Sequence, residues 1–267
     1  MEMMLVIVIT CMLLGAVVGV LAGLLGIGGG LIMVPALAYL LAGWLNIPPT
    51  ETIVIAIATS LSTIIFTGMS SARAHYKLGN LSQTIVLWSG IGIAFGAIIG
   101  AQVASRIPGA VLKGIFAVLV MLIALYMMFG SRRESTHTAS QPKLVGIGAS
   151  VGTLSALMGI GGGALLVPAL VWYRVNIRQA IGCAAFSGIL IAVFGSASFV
   201  ISGWHYGALT EGFIGYVFWP ASVSIAVISV FTAPLGAKLG QRMNTQGLKK
   251  VFAVFLVLVS IRMLWGL

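Results

Sequence analysis

The chain has 267 residues, of which 60% are hydrophobic and 7% charged, and its mean hydropathy is +1.16. This composition excludes a water-soluble globular domain and indicates a helical protein that crosses a membrane several times. The net charge of +10 comes from 14 Lys and Arg against four acids. In loops between apolar spans, such an excess indicates the positive-inside bias of a membrane protein rather than nucleic-acid binding.

Residues suited to metal binding or acid–base catalysis are scarce. The chain has no Asp and four Glu, and its two cysteines, Cys11 and Cys183, lie in apolar runs of different halves. We therefore predict no disulfide, metal site, cofactor or catalytic residue, and no enzymatic activity. The expected partners are the lipid bilayer and a small anionic substrate, with no nucleic acid, and a homo-oligomer remains open.

Uncharged runs define the membrane segments in chain order. The run 3–50 is long enough for one crossing and a second, partial or complete one. Single spans follow at 52–72, 78–105 and 114–131, and after a polar stretch the uncharged runs are 144–173, 179–210 and 212–237. The last span, 251–267, contains Arg262, which is able to snorkel near its end. At about 20 residues per crossing, the sequence predicts an all-α polytopic membrane protein of about eight transmembrane segments.

One glycine-rich stretch occurs twice: GIGGGLIMVPAL at 26–37 returns as GIGGGALLVPAL at 159–170. Glycine costs about 1 kcal/mol relative to Ala inside a helix, so an unbroken helix through four of them is unfavourable. We interpret each cluster as a break in a membrane helix, with a new helix beginning at Leu31 and at Ala164. Because non-helical backbone survives at membrane depth only inside protein or beside a cavity, such paired breaks indicate a transporter binding site. A device for close helix packing is the alternative.

Further similarities extend the repeat to nearly the whole chain: YKLGNL at 76–81 resembles WHYGAL at 204–209, and LKGIFAV at 112–118 resembles LKKVFAV at 248–254. We predict one transmembrane domain, 1–267, made of repeat 1 at 1–130, a flexible polar linker at 131–143 and repeat 2 at 144–267. The run 144–173 is long for one crossing and short for two, which favours a re-entrant hairpin that turns at the glycines.

Loop charges favour inverted repeats. If both motif segments are hairpins, the second half enters the membrane upside down and both termini lie outside. One side then collects Arg73, Lys77, Arg132, Arg133, Lys143, Arg174, Arg178, Lys238, Arg242, Lys249 and Lys250, and the other keeps Arg106, Lys113 and Arg262. This is a strong positive-inside pattern, and it largely disappears if the motif segments cross fully as single helices in parallel halves.

The doubled glycine motif, the AIATS sequence at 56–60, the polar linker and the length together resemble the sulfite exporter TauE/SafE family over essentially the entire chain. The resemblance implies a multi-pass transporter of the bacterial inner membrane for small anions, among them sulfite, sulfoacetate and sulfolactate. One departure is that Thr59-Ser60 corresponds to about Cys183-Ala184 in the second half, where Ser187 is the nearest hydroxyl. The two half-sites are therefore not expected to be equivalent.

We expect the breaks to meet near the bilayer midplane and to hold an oxyanion with backbone N–H groups, helped by the positive helix N-termini and by hydroxyls. The alternative for each hydroxyl is a hydrogen bond to the backbone of its own helix, with no part in substrate binding. The predicted substrate-binding residues are Gly28, Gly29, Gly30, Gly161, Gly162, Gly163, Thr59, Ser60, Thr63 and Ser187, with Ser62 as a further hydroxyl candidate.

Charged and titratable residues near the span ends are candidates for gating or coupling. Arginine attracts anions, histidine titrates near neutral pH, and a glutamate at a span start carries a proton or stabilises the helix N-terminus. Interface anchoring and ordinary loop positions are the competing interpretations. The candidates are Arg73, Arg106, His75, His205, Glu51 and Glu211, the last two each beginning a predicted span.

The function predicted from the sequence is a secondary transporter, an exporter, of a small anion such as sulfite or an organosulfonate. Alternatives are a transporter of small carboxylates, an anion channel or passive pore, and a membrane-embedded enzyme or assembly factor. No Walker-type nucleotide-binding loop is present, so direct ATP coupling requires another chain. Counterflow of labelled substrate distinguishes a carrier from a channel.

Overall fold

The computed structural model describes residues 2–25, 28–45, 47–129, 140–209, 211–242 and 245–265. In this part of the chain, helices follow one another with a single short hairpin among them. The elements are α1 Glu2–Leu25, α2 Gly30–Trp44, α3 Pro49–Lys77, α4 Gln83–Ala104, α5 Gly109–Phe129, α6 Gln141–Met158, α7 Gly163–Trp172, α8 Ile177–Ser202, α9 Trp204–Leu209, β1 Phe213–Ile214, β2 Val217–Phe218, α10 Trp219–Arg242 and α11 Thr245–Trp265.

Six of these helices are long and apolar enough to cross a membrane: α1, α3, α4, α5, α8 and α10. The protein is therefore an all-α polytopic membrane protein, as predicted. The sequence predicted about eight segments, but the motif helices α2 and α7 have only 15 and 10 residues and are too short to cross alone. Most of the predicted linker, 131–139, lies outside the described residues, and α6 begins at Gln141, inside its last part.

Glycines bring α1 and α10 into backbone contact. A Cβ on Gly23 would lie 1.8 Å from the carbonyl oxygen of Ala233, so even alanine has no room there. Small residues four apart are the usual means of such close approach in membranes. The contacts advance in the same direction along both helices, which makes the pair parallel: Gly15 meets Ile225, Gly19 meets Ser229 and Gly23 meets Ala233.

Helices α4 and α6 form a second parallel pair of the same kind. A Cβ on Gly96 would lie 2.2 Å from the carbonyl oxygen of Ala149. The contacts again advance together along both helices: Gly92 meets Val145, Gly96 meets Ala149 and Gly100 meets Thr153. In both pairs a helix of the first half packs against a helix of the second half, so the two halves are interleaved.

Helix α3 lies at the centre of the bundle, and most side chains of its apolar span are buried. It runs antiparallel to α8, because Gly68 meets Ile189 near one end and Leu61 meets Gly195 nearer the other. It runs parallel to α10, to which hydroxyl contacts join it: Ser62 to Ser222 at 2.8 Å, Thr67 to Ser229 at 2.5 Å, and Ser70 to the carbonyl oxygen of Val230 at 2.6 Å.

A short insertion between α8 and α10 departs from the predicted spans 179–210 and 212–237. Helix α8 ends at Ser202, and α9 and the antiparallel β1–β2 hairpin follow before α10 begins at Trp219. Val217 and Phe218 are buried in contact with α3. Four aromatic rings pack against one another in this insertion, with centroids 4.9 to 5.7 Å apart: Tyr206, Phe213, Tyr216 and Phe218.

Candidate functional site

Each glycine cluster breaks the helical path, as predicted. Gly28 and Gly29 have φ of 73° and 77°, and Gly159 and Gly162 have φ of 68° and 76°. Glycine adopts this left-handed region without the steric cost that a Cβ brings. The next helices begin at Gly30 and Gly163, one residue before the predicted starts. Gly26 and Ile27 lie outside the described residues.

The two breaks contact each other. A Cβ on Gly28 would lie 2.8 Å from the Cα of Gly161, and a Cβ on Gly30 would lie 2.2 Å from the carbonyl oxygen of Gly159. These atoms belong to the backbone and cannot turn away as a side chain can. The glycines are thus required both for their dihedral angles and for the space between two crossing segments.

The crossing lies beside the middle of α3. The hydroxyl of Ser60, the twelfth of 29 residues in that helix, donates to the carbonyl oxygen of Gly159 at 2.8 Å. On the other break, Gly28 lies beside Ile64, one turn further along α3. The Ser60 hydroxyl therefore joins the central span to a glycine break, and it supplies a donor to a carbonyl that accepts no backbone hydrogen bond from the described residues.

A small enclosed cavity of about 10 Å³ lies where the breaks meet. This volume corresponds to roughly one water molecule. Within the part of the chain that the structure describes, the Oγ of Ser71 is buried without a hydrogen-bond partner, and so is the Oγ of Ser187. The cavity is lined by Gly28, Ile64, Gly68, Ser71, Gly161, Ala185 and Gly188.

The predicted hydroxyls divide into two groups. Ser60 and Ser187 lie at the breaks: Ser60 contacts Gly159, and Ser187 precedes Gly188, whose added Cβ would lie 2.6 Å from the carbonyl oxygen of Gly161. The hydroxyls of Thr59 and Thr63 instead form hydrogen bonds with other parts of the protein. Thr59 Oγ1 accepts the backbone N–H of Phe218 at 3.0 Å, and Thr63 Oγ1 donates to the carbonyl of Thr59 at 2.9 Å. Ser62 likewise bonds Ser222 and the Thr59 carbonyl.

The six gating or coupling candidates are not among the residues that line the cavity, although Arg73 and His75 follow the lining residue Ser71 on α3 by two and four positions. Arg73 is exposed, in the wall of an apolar groove between α3, α4 and α8, and Arg106 is exposed in the α4–α5 turn. His205 is exposed in α9, whereas His75 is buried in the last turn of α3, with Nε2 3.1 Å from the carbonyl oxygen of Gly23.

The two glutamates differ in position. Glu51 lies in the first turn of α3, where a carboxylate stabilises the helix N-terminus, as predicted. The prediction that Glu211 begins a span was wrong, because Glu211 is exposed in the turn before β1 and the helix begins eight residues later, at Trp219. The inserted hairpin separates it from the helix that it was expected to begin.

Sequence reasoning missed Ser71, Gly68 and Gly188. On α3, Gly68 and Ser71 follow Ile64 at helical spacings of four and seven, so the three share one face. That pattern was visible in the sequence, but it does not say which face of α3 meets the breaks. The packing against α8 settles the question, since Gly68 lies beside Ile189.

Two facing breaks inside a bundle of membrane-spanning helices define a polytopic helical membrane protein with a buried, glycine-built centre. The chain belongs to the sulfite exporter TauE/SafE family, whose model matches residues 11–263. The family resemblance stated from the motifs is thereby confirmed.

Relatives cover nearly the full length. A Haemophilus influenzae protein named "Probable membrane transporter protein" is 38% identical over 96% of this chain and 97% of its own. A Methanocaldococcus jannaschii "Probable membrane transporter protein" is 27% identical over 94% of this chain and 93% of its own. The Bacillus subtilis "Probable membrane transporter protein YunE" is 28% identical over 94% and 95%. No solved structure matches the chain.

Proposed function

We propose that the protein is a secondary transporter of the bacterial inner membrane that exports a small anion, such as sulfite or an organosulfonate, bound where the two glycine breaks meet. The observation that carries the proposal is the contact between the breaks around an enclosed cavity with an unpartnered, buried serine hydroxyl. The names of the family and of the relatives support transport and export.

The proposed chemistry uses dipoles rather than charged side chains. Helices α2 and α7 begin at the breaks, and their N-termini carry partial positive charge. Among the described residues, the amides of Gly161 and Gly162 make no backbone hydrogen bond and remain free to donate. The Ser71 hydroxyl lines the cavity, whereas Ser60, eleven residues earlier on α3, already donates its proton to the carbonyl oxygen of Gly159. Neutral donors of this kind bind an oxyanion without the cost of placing a cation at mid-membrane.

We further propose that the two halves are inverted repeats. In support, equivalent helix pairs pack in the same way in both halves. The pair of α1 with α10 corresponds to the pair of α6 with α4, and both pairs are parallel. Helix α3 is antiparallel to its counterpart α8. An alternating-access carrier moves one bundle of helices against another around the fixed site, and here each bundle would contain helices of both halves, since α1 packs on α10 and α4 on α6.

Helix directions divide the described cations between two ends of the bundle, and the basic end is the one that holds the C-termini of α3 and α10. Positive-inside bias then places the basic end in the cytoplasm. The basic end holds the positions of Arg73, Lys77, Lys143, Arg174, Arg178, Lys238, Arg242, Lys249 and Lys250, and the opposite end holds Arg106, Lys113 and Arg262.

Transport is testable in proteoliposomes of purified protein, screened with sulfite, sulfate, sulfoacetate, sulfolactate, taurine, acetate and lactate. We expect a saturable current and counterflow with a sulfur oxyanion. The Gly162→Leu variant should lose both, because residue 162 has positive φ and a Cβ there would lie 2.5 Å from Ile191. Current without saturation or counterflow would indicate a pore, and no flux of any anion in folded protein would refute the proposal.

Orientation is testable with two variants that each add one cysteine, Arg106→Cys and Lys238→Cys, both at exposed positions. A membrane-impermeant thiol reagent should label residue 106 on intact cells and residue 238 only after permeabilisation. The native Cys11 and Cys183 are buried, so their background labelling should be low. Labelling of residue 238 from outside would contradict the proposed orientation.

A further inference from the structure

Ser71 is the polar side chain that faces the central cavity without a protein partner. It is 2% exposed, its Oγ has no hydrogen-bond partner among the described residues, and it lines the cavity together with Gly68 on α3 and Gly188 on α8. Its neighbour Ser70 differs, since that hydroxyl donates to the carbonyl oxygen of Val230 on α10 at 2.6 Å. A buried hydroxyl left unpaired costs free energy, so such a group in a native structure requires a partner, and the adjacent cavity gives room for a bound water or for an atom of another ligand.

The lining carries no charged side chain. It consists of four glycines, Ile64, Ala185 and the Ser71 hydroxyl, and the exposed Arg73 instead lies in the wall of an outer groove. The cost of removing an ion from water rises with the square of its charge, and neutral donors offset that cost less completely than a cation does. A second negative charge therefore has no counter-charge in this lining.

We propose that this cavity is the selectivity site and that it takes small anions carrying a single negative charge, with Ser71 donating a hydrogen bond to an anion oxygen. The inference rests on the proposed transport function and deepens it by naming the charge class of the substrate and a contact residue. Doubly charged oxyanions are rejected at this site because their second charge is left uncompensated. Within the proposed substrate class, the inference therefore favours hydrogen sulfite and simple monosulfonates over the dianions sulfite, sulfoacetate and sulfolactate.

The small volume limits the size of the anion. At about 10 Å³ the cavity is smaller than any sulfur oxyanion, so binding requires α3, α8 and the breaks to separate slightly. The contacts that must open are those of Gly188 and Gly28 with Gly161. Because no side chain interlocks across these glycine contacts, separation breaks few interactions, but each added atom in the substrate requires further opening.

The test compares methanesulfonate with sulfate, two tetrahedral anions of similar size that differ in charge. Their binding to purified protein is measured by calorimetry and by the shift in thermal unfolding. Wild type should bind methanesulfonate at least about tenfold more tightly than sulfate. Ser71→Ala should weaken methanesulfonate binding by about 10- to 100-fold, the usual worth of a hydrogen bond to a charged group. Ser70→Ala, the matched control beside it, should leave the affinity unchanged.

The outcomes separate this inference from the function on which it rests. Ser71→Ala removes no hydrogen bond between described residues, so the variant should fold, and its thermal unfolding without anion checks that it does. If a sulfur anion is transported but sulfate binds as tightly as methanesulfonate, or Ser71→Ala matches Ser70→Ala, the selectivity inference is overturned. If no anion is bound or transported by wild type, the proposed function itself fails.

Discussion

Replacing Gly30 by alanine is expected to abolish transport and to lower the thermal stability, although it adds a single methyl group. The new Cβ would lie 2.2 Å from the carbonyl oxygen of Gly159 and 2.8 Å from the Cα of Ile160. Both are backbone atoms of the opposite break, so relief requires the two breaks to move apart. Overpacking in a well-packed core typically costs about 1–3 kcal/mol, and the shift also displaces the proposed donors.

The same helix offers a matched control. Gly43, near the end of α2, has no atom within 4 Å of an added Cβ. Gly43→Ala should therefore keep transport and gain about 0.5–1 kcal/mol of stability, because alanine is the better helix former. Thermal unfolding and proteoliposome flux are measured for both variants. Equal behaviour of Gly30→Ala and Gly43→Ala would show that the crossing of the breaks is not tight in the functioning protein.

Phe218→Ala is expected to destabilise the protein by about 3–5 kcal/mol, the usual cost of truncating a buried aromatic side chain. Phe218 is 2% exposed, packs against Phe213 with ring centroids 4.9 Å apart, and its backbone N–H is held by Thr59. The lost ring also leaves a hole beside the middle of α3. A cysteine in place of Thr59 should then react with an impermeant thiol reagent added from the end opposite the basic end.

Ile214→Ala on the same hairpin is the control, because Ile214 is 51% exposed and its truncation creates no buried cavity. Its thermal unfolding should stay close to that of wild type, and residue 59 should stay protected. If both variants lose the same stability, the hairpin as a whole, rather than the buried ring, determines the effect.

The glycine breaks and the helical class could be predicted from the sequence because they depend on local properties. Apolar length signals a span, and a cluster of glycines disfavours a helix wherever it occurs. Helix partners could not be predicted in this way. That Gly19 of α1 meets Ser229 of α10 depends on the whole bundle, and small residues on many helices offer equivalent surfaces.

The inserted hairpin was missed because its strands are as apolar as the helix that follows. A hydropathy window joins Phe213 and Val217 to α10, and only the glycines mark the turns. Gly212 and Gly215 have φ of 82° and 58°. A single glycine in an apolar sequence does not predict such a turn conformation.

The candidate site was predicted in its backbone and only partly in its side chains. The glycines and Ser60 were named from the motif, but the role of each hydroxyl depends on what packs opposite. Thr59 and Thr63 carry the same kind of group as Ser71, yet the first two bond protein atoms and the third faces the cavity. His75 was expected at a turn, and its burial follows from contact with Gly23, 52 residues earlier.

The β1–β2 hairpin is expected to make the inward- and outward-facing states of the protein unequal in free energy. On the inverted-repeat proposal, a strictly symmetric carrier would populate its inward- and outward-facing states equally, since each is the other turned over. The α9–β2 insertion occurs in one half only, between α8 and α10, while the corresponding α3–α4 turn has five residues, 78–82. Burial of Val217 and Phe218 contributes about 1.5–3 kcal/mol each. On the proposed orientation the hairpin lies at the outer end, and we expect the resting protein to favour the state in which that end is closed.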